Sequence, residues 1–272
     1  MHLLNDKHTM KQILILIALV FACAFTSEGQ IKIGGKKLNT GKLVGAATDV
    51  AKAVTLSDSD IARMSHEAVV WMDNNNPVSA ENSEYTKRLR TITDRFPEIN
   101  GLPLNFKVYE VIDINAFACG DGSIRVFSSL MDVMTDDELA AIIGHEIGHV
   151  VNTDVKDAMK SAYLTSAAMK AAGSTGGVAQ KLTDSQLGEL TQSFMGAQFS
   201  QKQESAADDY AFEFCVKNGF DPYAMSNALQ KLVDLSNGGK SSVVERMFSS
   251  HPDSAKRALR MKEKAAGYAE NK

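Results

Sequence analysis

The five residues His145-Glu146-Ile147-Gly148-His149 constrain this chain more than any other stretch. They lie in a run whose apolar positions, Leu139, Ile142, Ile143, Ile147, Val150 and Val151, recur at helical spacing. Thr135-Asp136-Asp137-Glu138 supplies the capping box that starts such a helix, with the glutamate reaching back to the cap. Residues four apart on a helix stand one turn above another on one face, so the two imidazoles can chelate a single ion. Glu146 is rotated aside, which puts its carboxylate near an open coordination position rather than on the metal. Gly144 and Gly148 each cost about 1 kcal/mol of helix propensity against alanine. That cost is intelligible where another element approaches the backbone closely. A helix this apolar is a poor place for a solvated histidine pair, so a buried metal site is expected.

A catalytic zinc needs three protein ligands and one position left open for water. The third should come from another helix, and Gln201 to Val216 is such a helix. There Glu204-Ser205-Ala206-Ala207-Asp208 sets two carboxylates on one face, with small residues between them that suit close packing. Glu204 can ligate while Asp208 orients a ligand histidine through its free ring nitrogen. On spacing alone, Glu189, Asp209 and Glu213 compete with Glu204. A purely structural zinc site would show four protein ligands, often with cysteine, and no fourth is evident. His66 stands on a separate helix without a partner pattern, and Trp71 and the methionines read as core or helix surface.

Around this centre the pattern is α+β. Ser57 and Asp60 open a helix with Ile61, Met64, Ala68, Val69 and Met72 on one face, stopped at Asn74 to Pro77. A second helix is expected from Ala80 to Phe96, then a loop from Pro97 to Pro103. Leu104 to Glu110 alternates as a strand, Ile114 to Cys119 gives another, and Ile124 to Phe127 a third after the Gly120-Asp121-Gly122 turn. The expectation is a mostly helical domain over 48–272 with one small antiparallel sheet. Hydrophobic residues make up 44% of the chain, enough for a core. The net charge of -4 and the lack of a basic, aromatic-interleaved patch argue against nucleic acid as a partner.

The N-terminus reads as an export signal over residues 1–23. Lys7 and Lys11 precede the apolar run Ile13 to Phe25, with small residues at its end. That run falls short of the roughly 20 residues a membrane-spanning helix needs. Val20-Phe21-Ala22-Cys23 resembles a bacterial lipoprotein box, so Cys23 is a candidate for lipidation; the alternative is a soluble exported protein cut near Ala22 or Ala24. Residues 24–47 read as a tether. Cys119 and Cys215 are left either to pair or to stand as two buried thiols.

Four motifs in order carry a family resemblance. Asn115-Ala116-Phe117-Ala118 with Gly122-Ser123-Ile124 is similar to an edge-strand signature, and Asp137-Glu138-Leu139-Ala140 leads into the metal helix. Glu204 with Asp208 follows, and Ser250-His251-Pro252 with Arg257 closes the series. Together they resemble the zinc metallopeptidases that include HtpX and the CAAX prenyl proteases, over roughly residues 55–262, and most closely the soluble, signal-bearing members. The resemblance implies a zincin fold of the glutamate-ligand type, with one Zn2+ per chain on His145, His149 and Glu204. It favours Glu204 over its competitors.

The resemblance also implies an endopeptidase in which Glu146 is the general base for a zinc-bound water. His251 would sit over the metal as an oxyanion donor, with Arg257 fixing its loop or touching the same oxygen. Asn115, Ala116 and Phe117 would pair with an extended substrate. Many members carry a further histidine shortly after the metal motif, where this chain has Asn152, Thr153 and Asp154. The long membrane spans of HtpX and the prenyl proteases are missing too, which argues against prenylated substrates. The expected substrates are unfolded or damaged envelope proteins in a bacterial periplasm, met by an enzyme lipid-anchored through Cys23 to the outer membrane. The glycine-rich stretch Ala171 to Val178 is placed to gate the cleft.

Overall fold

The computed structural model describes residues 31–33, 36–38, 56–171 and 182–271. The expected signal over 1–23 with Cys23, and residues 172–178 of the expected gate, lie outside them. Within the expected tether, β1 (Ile31–Ile33) pairs antiparallel with β2 (Lys36–Leu38), Ile31 facing Leu38. The remaining elements begin at α1 (Asp58–Asn75). Ser57 and Asp60 cap it reciprocally, and Ile61, Met64, Ala68, Val69 and Met72 are buried, as their spacing requires. Asn76, in extended backbone, ends it ahead of Pro77.

Helix α2 (Glu84–Thr93) is capped by Ser83, so it starts about a turn later than Ala80 and stops short of Phe96. The following loop folds into a small hairpin of β3 (Glu98–Ile99) and β4 (Leu102–Pro103), turned by Asn100 and Gly101, both at positive φ. Asparagine-glycine is the pair such a turn favours.

The main sheet holds β5 (Asn105–Tyr109), β6 (Ala116–Ala118) and β7 (Ser123–Phe127) in the order β5-β7-β6. It is mixed rather than wholly antiparallel: β6 pairs antiparallel with β7, but β5 runs parallel to β7. The thirteen residues 110–122 carry the chain past the position of β7, and that length is what a parallel connection needs. At Gly122 the backbone is left-handed, and a Cβ would lie 2.2 Å from the Pro103 carbonyl oxygen, so only glycine fits the turn. Strand β6 is left at the edge of the sheet.

Helices α3 (Ser128–Val133), α4 (Asp136–Val151), α5 (Asp154–Ala171), α6 (Asp184–Met195) and α7 (Gln201–Asn218) follow. Then come α8 (Ala224–Leu235), a kinked turn at Ser236–Lys240 with Gly239 left-handed, α9 (Ser241–Ser250) and α10 (Ser254–Glu270). Every residue of α4 from Glu138 to Val150 is buried. Its two glycines face α7: a Cβ on Gly148 would meet the Ala207 Cα at 3.0 Å, and one on Gly144 the Phe214 ring at 2.9 Å. The propensity lost at these glycines therefore brings the two site-bearing helices together.

Leu139, Ile142, Ile143 and Ile147 anchor the larger core, and Met64, Tyr109, Phe117 and Phe194 a second one beside it. Arg125 of β7, almost fully buried, is held by Asp73 of α1 at 2.8 and 3.1 Å, which ties that helix to the sheet. Cys119 and Cys215 are buried free thiols in separate cores, so of the two alternatives the unpaired one holds. Among the described residues no helix is long and apolar enough to cross a membrane.

Candidate metal centre

The centre is assembled from α4, α7 and the turn between α9 and α10. Helix α4 sets His145 Nε2 3.1 Å from His149 Nε2. Glu204, in the first turn of α7, brings Oε1 to 3.5 Å from His149 Nε2 and Oε2 to 3.6 Å from His145 Nε2. His251 Nδ1 lies 3.3 Å from His145 Nε2 and 3.0 Å from Glu204 Oε1. All four residues are buried, and one donor atom of each lies within 4.8 Å of the others. An ion with tetrahedral bonds of about 2.0–2.1 Å keeps its donors roughly 3.3 Å apart, so these separations fit one. Glu189, Asp209 and Glu213 are not in the group.

The hydrogen-bond chemistry also calls for a cation. Asp208 Oδ1 lies 3.0 Å from His145 Nδ1, and Asp154 Oδ2 lies 2.9 Å from His149 Nδ1. Carboxylates only accept, so they hold the proton on each Nδ1 and turn two Nε2 lone pairs toward one another. Lone pairs 3.1 Å apart repel unless a positive centre lies between them.

The charge balance agrees. Arg257 meets Asp208 through Nε and Nη2 at 2.9 and 2.6 Å, and its Nη1 reaches Glu204. Arg260 stands 3.8 Å from Asp208. The carboxylates of Asp154, Glu204 and Asp208, with Glu146 beside them, outnumber the guanidinium groups that face the centre, and a cation between the histidines offsets that excess. Burial opposes ionisation of Asp208, yet hydrogen bonds from Arg257 and His145 outweigh it and bring its pKa down to about 2. Burial likewise opposes charge on Glu204, but His251 and His149 hold it well below the usual carboxylate range. Burial pushes His145 down to about 4, whereas Asp154 and Glu204 overcome the same burial and draw His149 up to about 9. The surrounding carboxylates favour positive charge at this point.

Glu146 points out of the donor group. Its carboxylate accepts from the Ala118 N–H and lies 3.8 Å from His251 Nε2, and burial raises its pKa. Strand β6 runs alongside. Cys119 N–H donates to Ser123 O and Phe127 N–H to the Asn115 carbonyl, so the odd-numbered residues of β6 face β7. Backbone groups alternate sides along a strand, which leaves those of Ala116 and Ala118 on the open edge. Among the expected edge residues only Ala116 offers its backbone there. Phe117 packs its ring into the second core, and the buried Asn115, whose side-chain oxygen has no hydrogen-bond partner among the described residues, lines the cleft.

The cleft beside Glu146 is narrow. Its free volume is about 30 Å³, enough for a water and not for a peptide. Phe194, Met195 and Phe199, from the end of α6 and the segment after it, cover it. Phe199 stacks on His149 with ring centroids 4.0 Å apart, and its N–H donates to the Ser250 carbonyl beside His251.

Sequence reasoning gave Asp154 and Phe199 no role. Asp154 is five residues beyond His149, and only the chain reversal at Thr153 returns it to that imidazole. The last helix starts without a side-chain cap. Asp253 occupies the N-cap position in left-handed backbone, makes no side-chain cap bond, and accepts from the Gln201 amide instead.

Residues 83–265 match the family described as Peptidase family M48. Over 256 residues the chain is 40% identical to Metalloprotease LoiP of Escherichia coli strain K12, covering 94% of this chain and 97% of the relative. It is 35% identical to Metalloprotease YcaL of the same organism over 258 residues, 94% of this chain and 99% of the relative. A Beta-barrel assembly-enhancing protease of Yersinia pestis is 33% identical over 142 residues, 49% of this chain and 29% of that protein.

Proposed function

The chain belongs to peptidase family M48 and is a metallopeptidase, and from that premise we propose that it is a zinc-dependent endopeptidase acting on extended polypeptides. The observation that carries this reading is the pair of Nε2 atoms 3.1 Å apart, each with its Nδ1 facing a carboxylate. His145, His149 and Glu204 would hold the zinc, one per chain. A zinc ion there supplies Lewis acidity, which lowers the pKa of water from 15.7 toward about 7.

The chain's own residues do the rest. Glu146, whose burial raises its proton affinity, takes the proton of the attacking water and passes it to the leaving amine. The open-edge carbonyl and N–H of Ala116 and the carbonyl of Ala118 pair with an extended substrate, and the unpaired Asn115 oxygen accepts one of its N–H groups. Asp208 and Arg257 orient His145 and Glu204. Entry requires Phe194, Met195 and Phe199 to move off Glu146.

His251 is the donor to the carbonyl oxygen as negative charge develops on it. His251→Ala is therefore expected to lower kcat by about 10²–10³, leave KM nearly unchanged and retain zinc. Loss of zinc from this variant would make His251 a ligand instead.

Backbone pairing is tolerant of side chains, which suits unfolded or damaged proteins. The name of one relative ties it to β-barrel assembly, and that supports envelope proteins as the substrates. The signal-like residues 1–23 and Cys23 support export to the bacterial periplasm with a lipid anchor in the outer membrane. Digestion of casein tests the central reading: chelator should stop it and added Zn2+ restore it. Casein cleavage unaffected by chelator, or no cleavage by the zinc-loaded protein, contradicts it.

A further inference from the structure

Asp154 has no counterpart among the residues that spacing or motif singles out, yet it is built into the centre. Its Oδ2 lies 2.9 Å from His149 Nδ1, and its side chain is 7% exposed. The backbone that delivers it is under load. Thr153 is β-branched and sits at φ 65, a left-handed conformation that a residue of this type rarely adopts. Only Asn152 and Thr153 separate α4 from α5, and the Thr153 carbonyl accepts from the N–H groups of Lys156 and Asp157 to start the new helix. The reversal drops the first residue of α5 back against the last histidine of α4.

We infer that Asp154 is a positioning residue for the metal: it fixes the proton of His149 on Nδ1, directs Nε2 into the centre and strengthens that nitrogen as a ligand. The inference rests on the zinc reading above. Two features separate Asp154 from Asp208, which faces the other histidine. Asp208 shares its charge with Arg257 through two hydrogen bonds, whereas Asp154 has no cation partner among the described residues. Asp154 also lies in the first turn of α5, where the helix dipole favours a carboxylate. Its negative charge is thus directed through a single imidazole. Phe199 stacks on the face of the same ring, so His149 is held in orientation from two sides.

The test is zinc affinity of the metal-free protein, measured by competition with a chromophoric chelator, for the parent, Asp154→Ala and Asp154→Asn. The Co2+ ligand-field spectrum and the melting temperature of each metal-free protein accompany it. Asp154→Ala should bind zinc about 10–100-fold more weakly and alter the Co2+ bands. Asp154→Asn, whose oxygen still accepts from Nδ1–H but without charge, should fall between alanine and parent, and it carries the test if the alanine variant does not fold. Melting temperatures of the metal-free proteins should stay close together. An alanine variant within twofold of the parent overturns the inference while leaving the zinc centre intact. Equal weakening in both variants, with a matching fall in metal-free melting temperature, overturns it in favour of a packing role. A parent that binds neither metal overturns the zinc reading itself, and the inference with it.

Discussion

Replacing Glu146 by glutamine is expected to abolish proteolysis while zinc content stays near one per chain. Glutamine keeps the volume and can still accept from the Ala118 N–H, so the packing between α4 and β6 survives. What is lost is the ability to take a proton from water, a contribution of typically 10²–10⁴-fold. The carboxylate is nearly fully buried in a cleft with room for little more than a water, which leaves no place for a base from solution to stand in for it. Zinc assay and casein turnover on the same preparation check this result. Activity within tenfold of the parent removes Glu146 from the base role.

The second large effect is at Glu204. Its two oxygens reach His145, His149, His251 and Arg257, so both histidines of α4 lose a shared neighbour when it is removed. Glu204→Ala is expected to lose both zinc and activity, by more than the roughly 10–100-fold that follows loss of an orienting partner. The fold should persist, because Arg257 keeps its two hydrogen bonds to Asp208. Full zinc occupancy in this variant would hand the ligand role to His251, the other donor within reach.

Local signals carried most of the architecture. The capping residues Ser57, Thr135 and Ser200 are each followed three residues later by a partner that returns the bond, and each helix starts where that pair stands. Gly144 and Gly148 announced a close neighbour, and the neighbour is α7. His145, His149, Glu204, Asp208, His251 and Arg257 come together from three stretches of chain, because each motif carried its own local chemistry.

What could not be read depends on contacts between distant segments. Alternation marks β5 and β7 as strands but does not say that β7 inserts between β5 and β6, so the parallel pairing was missed. The Asp73–Arg125 pair joins residues 52 apart and has no periodic signature. Asp154 looked like a departure from the family pattern, because a β-branched residue at positive φ is not what a sequence suggests for a reversal. The buried charges of Glu204, Asp208 and Arg257 violate the usual burial of apolar residues. Each such ion costs several kcal/mol to desolvate unless paired, an arrangement expected where chemistry rather than stability is served.

One zinc ion held by His145, His149 and Glu204 is the central prediction, and zinc-edge anomalous diffraction from crystals of the zinc-loaded protein is its sharpest test. The predicted result is a single anomalous peak within about 2.0–2.2 Å of His145 Nε2, His149 Nε2 and a Glu204 oxygen. A peak that leaves Glu204 out, or zinc-loaded crystals with no peak between these side chains, would contradict it.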